Sequence, residues 1–93
     1  MDVKEAVARA KHFLADVFSD ETVSEIRLEE IAFDRSERAW LVTLGLLRPA
    51  GADAQTSFGV LKPVLYKRTY KIVRIPEDSN EMPSIKIREV SEG

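Results

Sequence analysis

Cysteine is absent from this 93-residue chain, and histidine occurs once, as His12. Without cysteine there can be no disulfide bridge, thiolate metal site or cysteine nucleophile. A catalytic histidine needs an orienting acid and a nucleophile or substrate contact. Because His12 lies beside the apolar stripe of an expected helix, we interpret it as a boundary residue and not as a catalytic group.

Long apolar segments and phosphate-binding motifs are also absent from the sequence. The longest nearly uncharged apolar stretch, residues 39–47, is far too short to span a bilayer, and no apolar signal segment lies near the start. No glycine-rich phosphate loop, nucleophile elbow or metal-ligand cluster is found. We therefore expect a cytoplasmic, unprocessed protein with no cofactor, no membrane association and no enzymatic activity.

The composition is that of one small globular domain. Hydrophobic residues make up 44% of the chain and charged residues 32%, which is ordinary for a water-soluble protein. This length supports a single core, so residues 1–93 are predicted to form one domain. The formal net charge is −2, with acids in excess in residues 1–61 and bases in excess in residues 62–93. The basic excess falls well short of a nucleic-acid-binding signature.

The first segment has the three- and four-residue spacing of an amphipathic helix over residues 3–18. Asp2 is a suitable N-cap, and Glu5 is placed to complete a capping box and to complement the helix dipole. The helix should end near residues 19–20, where the apolar period gives way to a polar cluster. The expected apolar stripe consists of Val3, Ala6, Val7, Ala10, Phe13, Leu14, Val17 and Phe18.

Four strands are predicted after the helix, at residues 25–33, 39–47, 65–75 and 82–90. In the first strand, the apolar residues change parity near Glu29 and Glu30, which indicates a β-bulge. The second strand is apolar on both sides and is therefore expected to be a central strand covered on both faces. The pattern leaves the facing of the third strand open, and Pro83 indicates that the fourth is an edge strand.

Short polar turns favour antiparallel pairing of neighbouring strands. The apolar stripe of the helix must be buried, and the sheet offers the only large apolar surface for it. The sequence therefore predicts an α+β fold, in which an N-terminal helix packs on a curved four-stranded antiparallel meander in the order αββββ.

The segment 70–85 resembles the strand-turn-strand of PepSY domains. Acids follow the strand at Glu77 and Asp78, and Asn80-Glu81 stands where that family usually has Gly-Glu. Two prolines depart from the family pattern. The helix followed by a meander is also similar to cystatin-like domains. These resemblances imply the fold described above and at most a binding or inhibitory role.

The long connection between the second and third strands, residues 48–64, is the main candidate for an interaction site. Its first half is small and polar, and its second half is apolar. The apolar half either folds as a flap over the second side of the sheet, where Leu41 and Leu47 need cover, or docks onto another protein or a second copy of the chain. The candidate partner-binding residues are Phe58, Val60, Leu61, Val64 and Leu65.

A second candidate surface is a run of basic residues on and before the third strand, with no acid between residues 62 and 74. Tyr66 and Tyr70 alternate with these bases, and aromatic residues flanked by cations bind single-stranded nucleic acids. Strands also carry basic residues on a solvent-exposed face, and the whole chain is acidic. The basic residues are Lys62, Lys67, Arg68, Lys71 and Arg74.

Two acidic groups have structural interpretations that we prefer to catalytic or metal-binding ones. Glu29 and Glu30 are adjacent in a strand, and such residues normally point to opposite faces. A bulge would change that, but we interpret the pair as part of a solvated strand and not as catalytic carboxylates. Residues 78–81 lack the alternating oxygen ligands, the glycine and the distal glutamate of a calcium loop, and are interpreted as a turn.

These residues favour a small non-enzymatic protein-interaction module, acting as a homodimer or as an accessory protein or inhibitor of another protein. Two alternatives stay open. One is weak single-stranded nucleic-acid binding through the basic third strand. The other is a small-ligand pocket between helix and sheet, lined by Trp40, Phe13 and Phe18, although these aromatic residues suit a core better.

Overall fold

The computed structural model describes residues 1–49 and 66–87, which form one helix followed by four strands. Each strand pairs antiparallel with the next one along the chain, so the sheet order is β1-β2-β3-β4. This confirms the predicted α+β arrangement αββββ. The elements are α1 (Val3–Val17), β1 (Ser24–Asp34), β2 (Ala39–Pro49), β3 (Tyr66–Pro76) and β4 (Ser84–Ile87).

The helix begins as the sequence predicts. The Asp2 side chain accepts a hydrogen bond of 2.8 Å from the backbone N–H of Glu5, which satisfies one of the free donors of the first turn. The carboxylate of Glu5 forms an ion pair with Arg9, one turn along, at 2.7 Å.

The buried side of the helix is narrower than the predicted stripe. Ala6, Ala10 and Leu14 are fully buried, whereas Val3 and Val17 are 48% and 50% exposed. Small alanines on the buried side bring the helix axis close to the sheet. The valines at the two ends of the helix therefore lie beyond the edge of the buried contact.

The predicted bulge in β1 is confirmed. Leu28 lies opposite Leu44, but the next paired residue of β1 is Glu30, opposite Thr43, so Glu29 is the extra residue. Because of this insertion, Ile26 and Ile31 both pack against the core although their spacing is odd. A further irregularity of the ladder lies between residues 24 and 27.

Strands β2 and β3 pair along their whole length, from Ala39 opposite Pro76 to Pro49 opposite Tyr66. β2 extends two residues beyond its predicted end. β4 begins later than predicted, since Pro83 precedes it and cannot donate a ladder hydrogen bond. It pairs only with β3 and is an edge strand, as expected. Predicted strand residues 88–90 and most of the predicted loop lie outside the described residues.

The core lies between α1 and the middle of the sheet. Leu14, Val42 and Leu44 are fully buried in one cluster. Trp40 is only partly buried and packs at the margin of this cluster, with its ring edge-on to Phe33 at a centroid separation of 5.0 Å.

Replacing Leu44 by alanine tests the position of the core. The side chain is fully buried, so Leu44→Ala should lower the free energy of unfolding by about 2–5 kcal/mol through lost burial and a residual cavity. Met82→Ala is the matched control, because Met82 is 79% exposed and its loss should change stability by less than about 0.5 kcal/mol. Equal effects in urea unfolding would contradict this core.

The hairpin between β1 and β2 is held by Asp34. Its Oδ1 accepts hydrogen bonds from the hydroxyl of Ser36 at 2.7 Å, from the Ser36 N–H at 3.0 Å and from the Glu37 N–H at 3.2 Å. The Ser36 hydroxyl is the main reason that the pKa of Asp34 is lowered from its ordinary value of 3.8.

This hairpin gives a pH-dependent prediction. A lowered folded-state pKa means that the charged carboxylate stabilises the fold above its unfolded pKa, and that this contribution is lost as pH falls through the folded value. Asp34→Asn keeps the acceptor oxygen but does not titrate. The stability advantage of the parent over Asp34→Asn should be constant above about pH 5 and shrink below about pH 4. A pH-independent difference in urea titrations would contradict the role given to this carboxylate.

Candidate interaction surface

The two faces of the sheet have different surroundings. Val42, Leu44 and Leu46 of β2 and Val73 and Ile75 of β3 point to the helix. We call this side the first face. Side chains alternate along a strand, so the intervening residues of each strand point to the opposite side, which we call the second face.

The strand register arranges the second face in rows that cross the sheet. Reading from β1 to β4, two rows cross all four strands. The first row is Ala32, Leu41, Arg74 and Ser84, and the second is Glu30, Thr43, Ile72 and Lys86.

Three further rows of the second face lie toward the other end of β2 and β3. They are Arg27, Gly45 and Tyr70; then Ser24, Leu47 and Arg68; then Pro49 and Tyr66.

The centre of the second face is apolar or small. Leu41, Leu47, Ile72 and Tyr70 are partly buried, and Tyr66 at the end of β3 is 54% exposed. In the described ranges, the only helix packs on the first face, and no strand lies across the second. An apolar sheet surface of this kind is typical of a site that another surface covers.

Gly45 makes room for two charged side chains on the second face. A Cβ atom at this position would lie 2.8 Å from Oε2 of Glu29 and 3.2 Å from Nη1 of Arg68. The carboxylate and the guanidinium therefore reach over the central strand from opposite sides, β1 and β3. The space left by the missing side chain is the physical reason for a glycine in the middle of a central strand.

Arg68 has an unsatisfied donor at this position. Its Nη1 is buried and has no hydrogen-bond partner. A buried donor without an acceptor costs free energy, and more so when it belongs to a charged group. The second face therefore holds a cation that an additional acceptor would stabilise.

Charges on the second face are distributed unequally between its two sides. Glu29 and Glu30 lie on the β1 side, whereas Arg68 and Lys86 lie on the β3 and β4 side. The remaining arginines of this face already have acids beside them. Arg74 forms ion pairs with Glu37 at 3.0 Å and Glu81 at 3.5 Å, and Arg27 forms one with Glu25 at 3.3 Å.

The basic residues that the sequence suggested as one surface lie on two different faces of the sheet. Lys67 and Lys71 belong to the first face, and Arg68 and Arg74 to the second. The Lys71 ammonium lies 5.9 Å from the centre of the Phe18 ring, at the side of the helix. Residues of the predicted sites that lie outside the described ranges are Phe58, Val60, Leu61, Lys62, Val64 and Leu65.

The bulge changes the usual facing of two adjacent acidic residues. Glu29 and Glu30 both lie on the second face, Glu29 over Gly45 and Glu30 opposite Thr43. Adjacent residues share a face here because the extra residue breaks the two-residue period.

The single histidine and the acidic turn at residues 78–81 have the structural roles that the sequence suggested. His12 is exposed on the helix, and Asp78 accepts a hydrogen bond from the Asn80 N–H at 2.9 Å, as in a turn. Within residues 1–49 and 66–87, no three histidine or acidic side chains are placed to hold a metal ion. In the same ranges, no helix is long and apolar enough to cross a membrane.

The sequence indicated that the second face is largely apolar, but not which charged residues lie on it. The apolar character of both faces of β2 predicted that each needs cover. The charged rows depend on the register of β1 and β3 and on the bulge position, which a single sequence does not determine. No family model, curated protein or solved structure matches this chain. The resemblance to PepSY and cystatin-like domains therefore stays a prediction from the residues.

Substitution of Gly45 tests the packing of the two charged side chains. In the parent, the new Cβ of Gly45→Ala would meet the carboxylate of Glu29, a flexible group that can move. The displacement should offset the roughly 0.5–1 kcal/mol that alanine gains over glycine inside a strand. In a Glu29→Ala chain, Gly45→Ala should instead be stabilising. Additive effects, to within about 0.3 kcal/mol in the double-mutant cycle, would contradict this contact.

Proposed function

We propose that this protein is a cytoplasmic, non-enzymatic protein-interaction module that binds its partner through the second face of the sheet. One observation carries the proposal. The central strand β2 is apolar on both faces, and the described helix covers only one of them. Leu41, Leu47 and Ile72 of the other face are only partly buried, and burying them further against a partner gains hydrophobic free energy.

The edges of the sheet favour binding through the face and not through an added strand. β1 carries a bulge and a second register irregularity, and Glu25 in it has a φ of 50°. β4, which the structure describes over Ser84–Ile87, is preceded by Pro83, which cannot donate a ladder hydrogen bond. Bulges and prolines at edge strands are among the means by which proteins prevent edge-to-edge pairing. The face is therefore the surface left for association.

The charge pattern supports a protein partner over a nucleic acid. Phosphate binding needs several cations directed to one surface. Here Lys67 and Lys71 lie on the first face, and Arg74 is already paired with acids. Glu29 lies beside Arg68 over Gly45. Mixed charges around an apolar centre are typical of protein interfaces.

Pro49 and Tyr66, the last described residue of β2 and the first of β3, are paired neighbours on the second face. An accessory or inhibitory role, as the resemblance to PepSY domains implies, requires only such a binding surface and no catalytic group.

Photocrosslinking in cells tests this function. Benzoylphenylalanine at Tyr66, which is 54% exposed on the second face, should crosslink the chain to another protein molecule. The same probe at Ala8, on the exposed side of the helix, is the control and should give no such product. The Tyr66 product should disappear in an Ile72→Asp background, because Asp would be buried unpaired at the interface.

Three results would contradict the proposed function. They are equal crosslinking from both positions, no intermolecular product from position 66, and products formed only within one chain. The last result would mean that the second face is covered by the chain's own residues.

A further inference from the structure

We infer that the partner of the second face is a second copy of this chain, related by a two-fold axis that runs between the sheets and parallel to the strands. The inference rests on the proposed function and names its partner. It follows from two properties of the second face: the charges of its rows and its area.

The charges select the orientation of the axis. A two-fold axis parallel to the strands places β1 of one copy over β4 of the other, and β2 over β3. It keeps each row over the same row, so Glu30 faces the partner copy's Lys86 twice in each dimer. An in-plane axis perpendicular to the strands would place the acidic β1 sides over each other. Complementary potentials favour the first arrangement and repulsion disfavours the second.

The twist of the sheets is compatible with the same axis. Two sheets packed in this way cross at about 30° because each is twisted. The side chains of Glu30 and Lys86 are long enough to reach each other across this angle.

The area of the face is sufficient for a dimer: two 11-residue strands at ~3.3 Å per residue, flanked by two more, form a face of ~35 by ~20 Å. This approaches the ~800 Å² per partner of a standard interface.

Charge reversal tests the arrangement. Size-exclusion chromatography with light scattering should show the parent as a dimer that weakens as salt rises. Glu30→Lys and Lys86→Glu should each weaken self-association at least about tenfold, because each creates two like-charge pairs. Lys11→Glu, an equal charge change on the exposed side of the helix, is the control and should leave the dimer intact. Circular dichroism confirms that all variants fold.

The decisive experiment mixes the two charge-reversal variants. In an equimolar mixture of Glu30→Lys and Lys86→Glu, both interfacial pairs again have opposite charges, so a dimer should return. Glu30 also interacts within its own chain, and mixing cannot restore that contact. Recovery of the dimer therefore reports the intermolecular pair and not a repaired monomer.

The inference and the proposed function fail in different ways. If the parent stays monomeric up to millimolar concentration, or if neither charge reversal weakens the dimer, the inference that the partner is a second copy is overturned. Failure of the mixture to dimerise overturns the parallel axis. If the parent is monomeric while position 66 crosslinks a different protein in cells, the binding face stands and its occupant is not this chain.

Discussion

Strand β2 is hydrogen-bonded along both sides, by β1 and by β3, and it is largely apolar on both faces, with Thr43 a buried polar residue on the second. Such a strand needs cover on two faces, because apolar surface left in water forgoes roughly 25 cal/mol per Å². A single helix can cover one. The helix is placed on the first face by Ala6, Ala10 and Leu14, whose small or well-fitting side chains allow close packing. The proposed binding function and the proposed dimer both depend on the second face, which the described helix does not cover.

The bulge of β1 and the glycine of β2 act together on that second face. Without the extra residue at position 29, the apolar residues of β1 would divide between the two faces, and the core would lose Ile26 or Ile31. The same insertion directs Glu29 onto the second face, where Gly45 leaves room for its carboxylate beside Arg68. The bulge that completes the core thus also places a carboxylate on the β1 side of the second face, opposite the guanidinium that comes from β3.

Much of the fold could be predicted from local signals in the sequence. The capping of α1 by Asp2, the bulge near residue 29 and the central position of β2 each depend on residues close together in the chain. The composition of the second face depends on pairings between distant strands, such as Leu47 with Arg68. No local pattern determines these pairings. For the same reason the basic residues near β3 looked like one patch in the sequence, whereas alternation divides them between two faces.

The two tyrosines and the one tryptophan provide the most direct test, since Tyr66 and Tyr70 both lie on the second face and Trp40 lies on the first. Fluorine NMR of the chain labelled with fluorotyrosine and fluorotryptophan observes each face separately. If a partner copy covers the second face, both tyrosine signals should shift as protein concentration rises, while the Trp40 signal stays constant. Tyrosine signals that are unchanged from micromolar to millimolar concentration, or a Trp40 signal that moves with them, would contradict this account.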